Sequence, residues 1–497
     1  MVESNLTDGI VQQVKTRPGA VAVHLPGGGL TFAQLDNLVW QIATLLHHGG
    51  VKPGDVVALT FGSELIVLVT MLATARLGAT VFSVPDNYPP LQKSELMMRA
   101  GVSVIASDHA EGHDPSLPVL LIDRTSIGNR SLPVDTGVRQ EYPEAPWLII
   151  AGSGSTGTPK LIPLSHQVFL QRIELFDKAI PLTQDDCIAS FINIDFQVAK
   201  IQYLHALFTG ASIAFRSLMG GDVFEFCRRN QVTVLYTAVI HLKQLVSKAA
   251  RQPGQALGFL RALVAGGSTV SDRLRKDIAS HLSDKLYVRY GTNETGPISD
   301  ASPPEVFSVP GSIGRPYGGI ELQVIGKGGL PLAVGDIGLV RIRTPGVISH
   351  YLGDEEATRK ALQGSWFLPG DLGKLTGEGQ LVYCGRADHM MIMDGVNIYP
   401  AEIERVICEH SAVRDAAAMP VRSDLHQEIP VCAVELMDDC HVTEQELGSY
   451  CVARLGFRAP KRIVQVDKIP RTEQGKLIRA ELASQIGSRL GIRHFKT

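Results

Sequence analysis

The sequence predicts an α/β protein: a large N-terminal domain of parallel-rich βαβ sheets plus a β-rich subdomain, followed by a small α+β C-terminal domain. Three observations predict it. Strand-length β-branched runs alternate with helix-length apolar runs through the first part of the chain. Short strands punctuated by glycine take over after about residue 310. Past Gly385, about a hundred residues read as helix, strand, strand, helix and strand, enough for a small domain. A chain of 497 residues also exceeds one ordinary core, so two or three domains are expected.

In chain order, KPGDVVALTFGSELIVLVTMLATARLGATVFSV (52–84) reads as strand, loop, apolar helix, glycine stop and second strand, a βαβ unit. Its helical run LIVLVTMLATA (65–75) is too short for the roughly 20 residues that cross a bilayer and is expected to be buried in protein. Next comes the apolar run from Trp147 and then AGSGSTGTPKLIP (151–163), a loop rich in glycine and hydroxyls ahead of Lys160. A Walker A loop needs Gly-Lys-Ser/Thr opening a helix, whereas Thr158 and Pro159 separate Gly157 from Lys160 here. LIPL (161–164) instead reads as extended, with Ser165 the N-cap of the following helix. The loop could wrap an anion with its backbone N–H groups, or be a plain turn between strands. Downstream, ASIAFRS, VTVLYTA, LRALVAGG and KLYVRYG read as strands alternating with the helices GDVFEFCRRN and HLKQLVSKAA. Ligands in such folds sit beyond the carboxyl ends of the strands, where Gly266-Gly267 and Gly291-Thr292 fall. ELQVIG, GLVRIRT and QLVYCGR form the β-rich stretch.

Composition narrows the function. Lys and Arg number 47 against 50 Asp and Glu, so the net charge of -3 gives no electrostatic reason to expect nucleic acid or an anionic membrane. Seven cysteines without a C-x-x-C pair suggest neither a disulfide framework nor a zinc site. The N-terminus has no basic stretch ahead of an apolar core, and a cytoplasmic enzyme acting on a small molecule is expected.

Six segments in register then carry a resemblance: the loop at 152–160, VAGGS (264–268), YGTNETG (290–296), GDLGKL (370–375), GRADHMMIMDGVNIYPAEIE (385–404) and PRTEQGK (470–476). Together they resemble the acyl-adenylate-forming superfamily of acyl- and aryl-CoA ligases, peptide-synthetase adenylation domains and luciferases. GVKPGDVVAL near the N-terminus is similar to that family as well, so the likeness covers nearly the whole chain. It implies a domain 1–387, a hinge at Asp388 and a small mobile lid domain 388–497. It also implies ATP and Mg²⁺. On matching positions Ser153, Gly154, Ser155, Thr156, Gly157 and Lys160 would handle the β- and γ-phosphates, with Thr292 and Asn293 close by. Glu294 would be the metal-associated carboxylate, since a hard dication wants oxygen ligands. Gly266 and Gly267 would lie along the adenine, with Tyr290 stacked on it, and Ser268 and Gly291 would also bind the nucleotide. Asp371 would accept both ribose hydroxyls, and Arg386 would contact the nucleotide. Lys476 would neutralise the substrate carboxylate and the α-phosphate as they meet. Outside the motif, a lysine of this kind is a solvated surface charge.

The pattern has departures. Gly152 stands where the family usually has threonine or serine, Leu161 where it usually has glycine, and Asn293 where a hydroxyl residue usually precedes the glutamate; Pro369 opens the usual Thr-Gly-Asp. Asn293 can still donate to phosphate. MMIMDGVNIYPAEIE is similar to acyl- and aryl-CoA ligases rather than peptide-synthetase domains, which favours an acyl or aryl acid. Candidate acyl-pocket residues are Asn193, Asp195, Phe196 and Tyr236, with core packing the alternative for the aromatics. Asp195 either pairs, faces water or meets a polar substrate, because a buried unpaired carboxylate costs several kcal/mol. The acceptor thiol is that of CoA or of a carrier-protein phosphopantetheine; Arg454, Arg458, Lys461 and Arg462 lie near the thiol-delivering face in the family. The expectation is an acid–thiol ligase. Loading of a carrier protein is one alternative, and a nucleotide-binding regulatory protein with silenced chemistry is another.

Overall fold

A computed structural model describes residues 5–84, 89–122, 143–152, 159–218, 220–251, 254–423, 426–438, 440–472 and 475–490. Two twisted sheets form the large N-terminal part. The nine-stranded one runs Arg315–Pro316, Gly296–Ala301, Leu286–Thr292, Ala262–Gly266, Val234–Ala238, Cys187–Ser190, Ser212–Ala214, Val21–Leu25, Gly28–Thr31. Its six central strands pair in parallel, and antiparallel pairs close both edges. The six-stranded one runs Val119–Leu121, Val102–Ser107, Val56–Thr60, Thr80–Ser83, Pro146–Gly152, Lys160–Ser165, parallel except for the last hairpin.

The predicted buried helix is Glu64–Arg76, in which every residue from Ile66 onward is buried, and Gly78 ends it in the left-handed region at φ 69°. A helix apolar on all sides has no solvent face to offer, so it is held inside the layer. The stretch 161–164 is extended within Lys160–Ser165, and Ser165 caps the helix His166–Ala179 by accepting the Val168 N–H at 3.2 Å. That geometry sends the chain away from the glycine-rich loop as a hairpin strand, so no helix N-terminus stands where a Walker loop requires one.

The β-rich subdomain is an antiparallel sheet of Leu362–Gln363, Trp366–Phe367, Gly338–Arg343, Asp371–Leu375 and Leu381–Arg386, with Glu321–Ile325 paired to Gly338–Arg343. The smaller C-terminal domain is α+β. Val396–Ile398, Met391–Met393, Gln427–Leu436, Val413–Ser423 and Arg462–Gln465 make its sheet, and Pro400–Cys408, Glu444–Leu455 and Arg479–Leu490 are its helices. All seven cysteines are free. Among the described residues no helix is long and apolar enough to cross a membrane.

His166 makes the N-terminal core pH-sensitive. Its Nδ1 accepts the Leu6 N–H at 3.2 Å, which only an unprotonated nitrogen can do. Burial pushes its pKa from 6.5 to about 4, against a small opposing pull from Asp8. The unfolded chain therefore takes up a proton near pH 6.5 that the native state refuses until about pH 4. The contribution is complete above 6.5 and is lost as pH falls toward 4, reaching about 3 kcal/mol. His166→Asn keeps an acceptor but does not titrate. Chemical denaturation at pH 7 and pH 4.5 is expected to show a smaller acid loss for the variant than for the wild type; equal losses would contradict this account.

Candidate active site

Two glycine-bearing turns lie at the carboxyl ends of neighbouring parallel strands. Ala262–Gly266 delivers Gly266, followed by Gly267 at φ 83°. Leu286–Thr292 delivers Tyr290, Gly291 and Thr292. A Cβ at Gly291 would sit 2.5 Å from the Gly296 carbonyl oxygen, so only glycine lets the hairpin to Gly296–Ala301 close. The Thr292 hydroxyl then accepts the N–H groups of Glu294 and Thr295, each at 3.2 Å, and pairs with the Thr295 hydroxyl at 3.0 Å. This turn holds Glu294 outward.

Arg172 fastens the same turn from beneath. It is 0% exposed, and its guanidinium donates to the carbonyls of Gly346 at 2.8 Å, Asn293 at 3.1 Å and Glu294 at 2.8 Å. Burial pushes its pKa down to about 9, with the Glu294 charge pulling the other way, so it is a cation at neutral pH. Sequence reasoning missed Arg172. The signal was present, since it interrupts the apolar stripe Phe169, Ile173 and Phe176 on the buried face of its helix.

Asp371 and Arg386 face each other across the antiparallel pair Asp371–Leu375 and Leu381–Arg386. Asp371 is 6% exposed, accepts the Tyr290 hydroxyl at 2.5 Å and lies 3.4 Å from Arg386 Nη1. Burial raises its pKa, with Tyr290 and Arg386 partly offsetting that. Burial and the Asp371 charge push Tyr290 well above the ordinary phenol value, so the proton stays on the phenol. Arg386 also donates to the Pro369 carbonyl and holds Asp388 at 3.1 and 3.3 Å. The predicted nucleotide residues Tyr290, Asp371 and Arg386 and the predicted hinge Asp388 are thus one contiguous network.

Lys160 sets its ammonium 4.6 Å from the centre of the Tyr351 ring. Ser153, Gly154, Ser155, Thr156 and Gly157 fall outside the described residues. Two departures from the family pattern turn out to be neighbours, because a Cβ on Gly152 would sit 3.9 Å from Asn293 Nδ2 and 3.2 Å from Ile162 Cδ1. The amide stands over the space left by the missing side chain.

The C-terminal domain reaches this edge through the segment that carries Lys476. Gly475, at φ 80°, packs so that a Cβ there would be 3.4 Å from Ser268 Oγ and 3.7 Å from the Ile240 nitrogen. Arg471 steadies the segment, donating to the Gly475 carbonyl at 3.1 Å and gripping Asp415 at 2.7 and 3.1 Å. Asp415 reaches across to Lys243 at 3.2 Å, and Arg273 donates to the carbonyls of His410, Ser411 and Val413. Burial alone would raise the Asp415 pKa, but Lys243 and Arg471 hold it below the ordinary value. The Lys476 N–H donates to Thr472 Oγ1 at 3.2 Å, and the residue is exposed.

Of the acyl-pocket candidates, Asn193, Asp195 and Phe196 share one turn, in which Asn193 Oδ1 accepts the Asp195 N–H at 3.1 Å. Lys200, also missed, folds back from the first turn of helix Gln197–Thr209 to donate to the carbonyls of Ile194 and Asp195, each at 2.7 Å. Burial lowers its pKa to about 8, with Asp195 opposing. Phe191 and His241 stack beside this turn at 4.8 Å, and burial, then Arg216, lowers His241 to about 4, leaving the stack neutral. Tyr236 adjoins this group through its backbone, its carbonyl accepting the Phe191 N–H at 2.9 Å, while its buried ring lies 6.5 Å from Phe176 and 5.8 Å from the Arg289 guanidinium.

Comparison with known proteins identifies the family. The model of the family described as AMP-binding enzyme matches residues 10–352, and that of the AMP-binding enzyme C-terminal domain matches 402–476. Indoleacetate–CoA ligase of Aromatoleum aromaticum is 28% identical over 95% of this chain and 96% of its own length. A feruloyl-CoA synthase of Amycolatopsis is 27% identical over 96% and 98%. The crystal structure of ATP-bound MatB from Rhodopseudomonas palustris shares the fold at a TM-score of 0.87 and 22% identity, covering 97% of this chain and 98% of that one. With both family models matched in order and the likeness extending over nearly the whole length, the chain belongs to the AMP-binding enzymes of the acyl-adenylate-forming superfamily.

Proposed function

We propose that this protein is an AMP-forming acid–thiol ligase. A carboxylate oxygen forms a bond to the α-phosphorus of MgATP as the bridging P–O bond breaks and pyrophosphate leaves. A thiol then attacks the acyl carbon and AMP departs. The observation that supports this reading is the close packing of Gly475 against Ser268 and Ile240, next to the strand end that delivers Gly266 and Gly267, with Lys476 the residue that follows. Two anions must approach each other there, and a lysine ammonium offsets their repulsion.

In this reading Lys160 and the loop 153–157 hold the phosphates, Gly266, Gly267, Ser268, Tyr290 and Gly291 border the adenine, and Asp371 with Arg386 holds the ribose. The hinge is Asp388, between domains 1–387 and 388–497. Glu294 suits magnesium. Among the described residues no cluster of three or more His, Cys, Asp or Glu could hold a metal, and Mg²⁺ binds through one or two carboxylates plus substrate phosphates and water. Held by Glu294, it would neutralise charge on the departing pyrophosphate.

The acid is aryl or acyl. The relatives named for indoleacetate and ferulate support an aryl acid, as does the neutral Phe191–His241 stack next to Asn193 and Asp195. CoA is favoured as acceptor over a carrier-protein phosphopantetheine. Arg454 lies over Tyr450 and Lys461 over the exposed Phe457, a cation–aromatic strip suited to a phosphorylated nucleotide, although Arg458 is engaged by Glu402. Pyrophosphate exchange across aliphatic, aryl and amino acids, followed by CoA and carrier-protein assays on the best acid, tests this. An aryl or acyl acid is expected to stimulate exchange and release AMP. ATP binding without exchange for any acid would favour the regulatory alternative.

A further inference from the structure

Tyr351 belongs to none of the roles above, yet it touches two of the residues assigned to the phosphates and metal. It is 4% exposed, and its N–H is held by Thr358 Oγ1 at 3.0 Å. Its hydroxyl donates to Glu294 Oε1 at 2.9 Å. Lys160 rests its ammonium over the face of the same ring, 4.6 Å from the centre. A carboxylate offers only acceptor oxygens, so the phenol is the donor in this bond.

Lys160 and Glu294 carry opposite charges on adjacent walls of one site. Brought into direct contact they would form an ion pair, and each would be withdrawn from phosphate and metal. Tyr351 gives each a different partner: one carboxylate oxygen takes the hydroxyl, and the ammonium takes the π face. Resting on the functional reading above, we propose that Tyr351 is a positioning residue that keeps Lys160 and Glu294 apart and presents the second carboxylate oxygen of Glu294 to magnesium.

The hydroxyl and the ring can be tested separately. Tyr351→Phe removes only the hydrogen bond to Glu294; Tyr351→Leu also removes the ring face. Calorimetric titration of ATP into the full chain without acid, at graded Mg²⁺, gives the magnesium half-saturation and the ATP affinity at saturating Mg²⁺. Tyr351→Phe is expected to raise the magnesium half-saturation about tenfold, the order a hydrogen bond to a charged group supplies, with ATP affinity at saturating Mg²⁺ near wild type. Tyr351→Leu is expected to add an ATP-affinity loss of several-fold, matching that of Lys160→Ala. A Tyr351→Phe variant with wild-type magnesium dependence overturns the proposal, as does a Tyr351→Leu variant that binds ATP as Tyr351→Phe does. A wild-type chain that binds no MgATP overturns the functional reading itself, and this inference falls with it.

Discussion

Lys476→Ala is expected to lower acid-dependent ATP–pyrophosphate exchange by about 10²- to 10³-fold, the cost of removing one preorganised charge partner from a developing anion. Thioester formation from supplied acyl-AMP is expected to persist, because that step has no second anion approaching phosphorus. The stability of the variant should stay near wild type, since Lys476 is exposed and an exposed substitution of this kind changes stability by only about 0.5 kcal/mol. The segment should also remain seated, because Arg471, Asp415 and Lys243 anchor it without using the Lys476 side chain. Normal exchange by Lys476→Ala would remove the lysine from the mechanism. Equal loss of both half-reactions would point to a damaged domain rather than a lost charge.

Arg172→Leu should have the largest effect on stability. The substitution leaves the Gly346 and Asn293 carbonyls without their buried donor, while the Glu294 carbonyl keeps the Ile348 N–H at 2.9 Å. One buried acceptor left unpaired at Gly346 and a part-buried one at Asn293, together with the space vacated by the guanidinium, cost about 3 kcal/mol. The loss also reaches the chemistry, because the turn bearing Glu294 is no longer fixed to helix His166–Ala179. Urea denaturation and exchange assays on one preparation measure both effects. Arg172→Lys, with one nitrogen in place of three, should recover only part of either. A Leu variant with wild-type denaturation and exchange would show that the clamp is dispensable.

Much of the fold was legible because it depends on local periodicity. The buried helix at Glu64–Arg76, its glycine stop and the extended run before the Ser165 cap follow from side-chain pattern and backbone sterics over a few residues each. The candidate site was legible where a glycine pair marks a turn, as at Gly267, and where the resemblance to the family singles out Tyr290, Glu294, Asp371, Arg386 and Lys476. The pocket was harder to read. Lys200 and the Phe191–His241 stack gather around the Asn193–Phe196 turn, and Tyr236 joins them through its carbonyl while its ring lies near Phe176 and Arg289.

The sequence by itself determined the alternation of strands and helices, the positions of the glycine turns and the order of the nucleotide-binding segments, since each is encoded within a window of neighbouring residues. Only the tertiary structure decided that Arg172 clamps carbonyls 121, 122 and 174 residues away, that Tyr351 joins Lys160 to a glutamate 57 residues distant, and that Asn293 stands over Gly152. A hydrogen bond or cation–π contact is fixed by where two distant segments come to rest against each other, and neither segment carries a local mark of its partner.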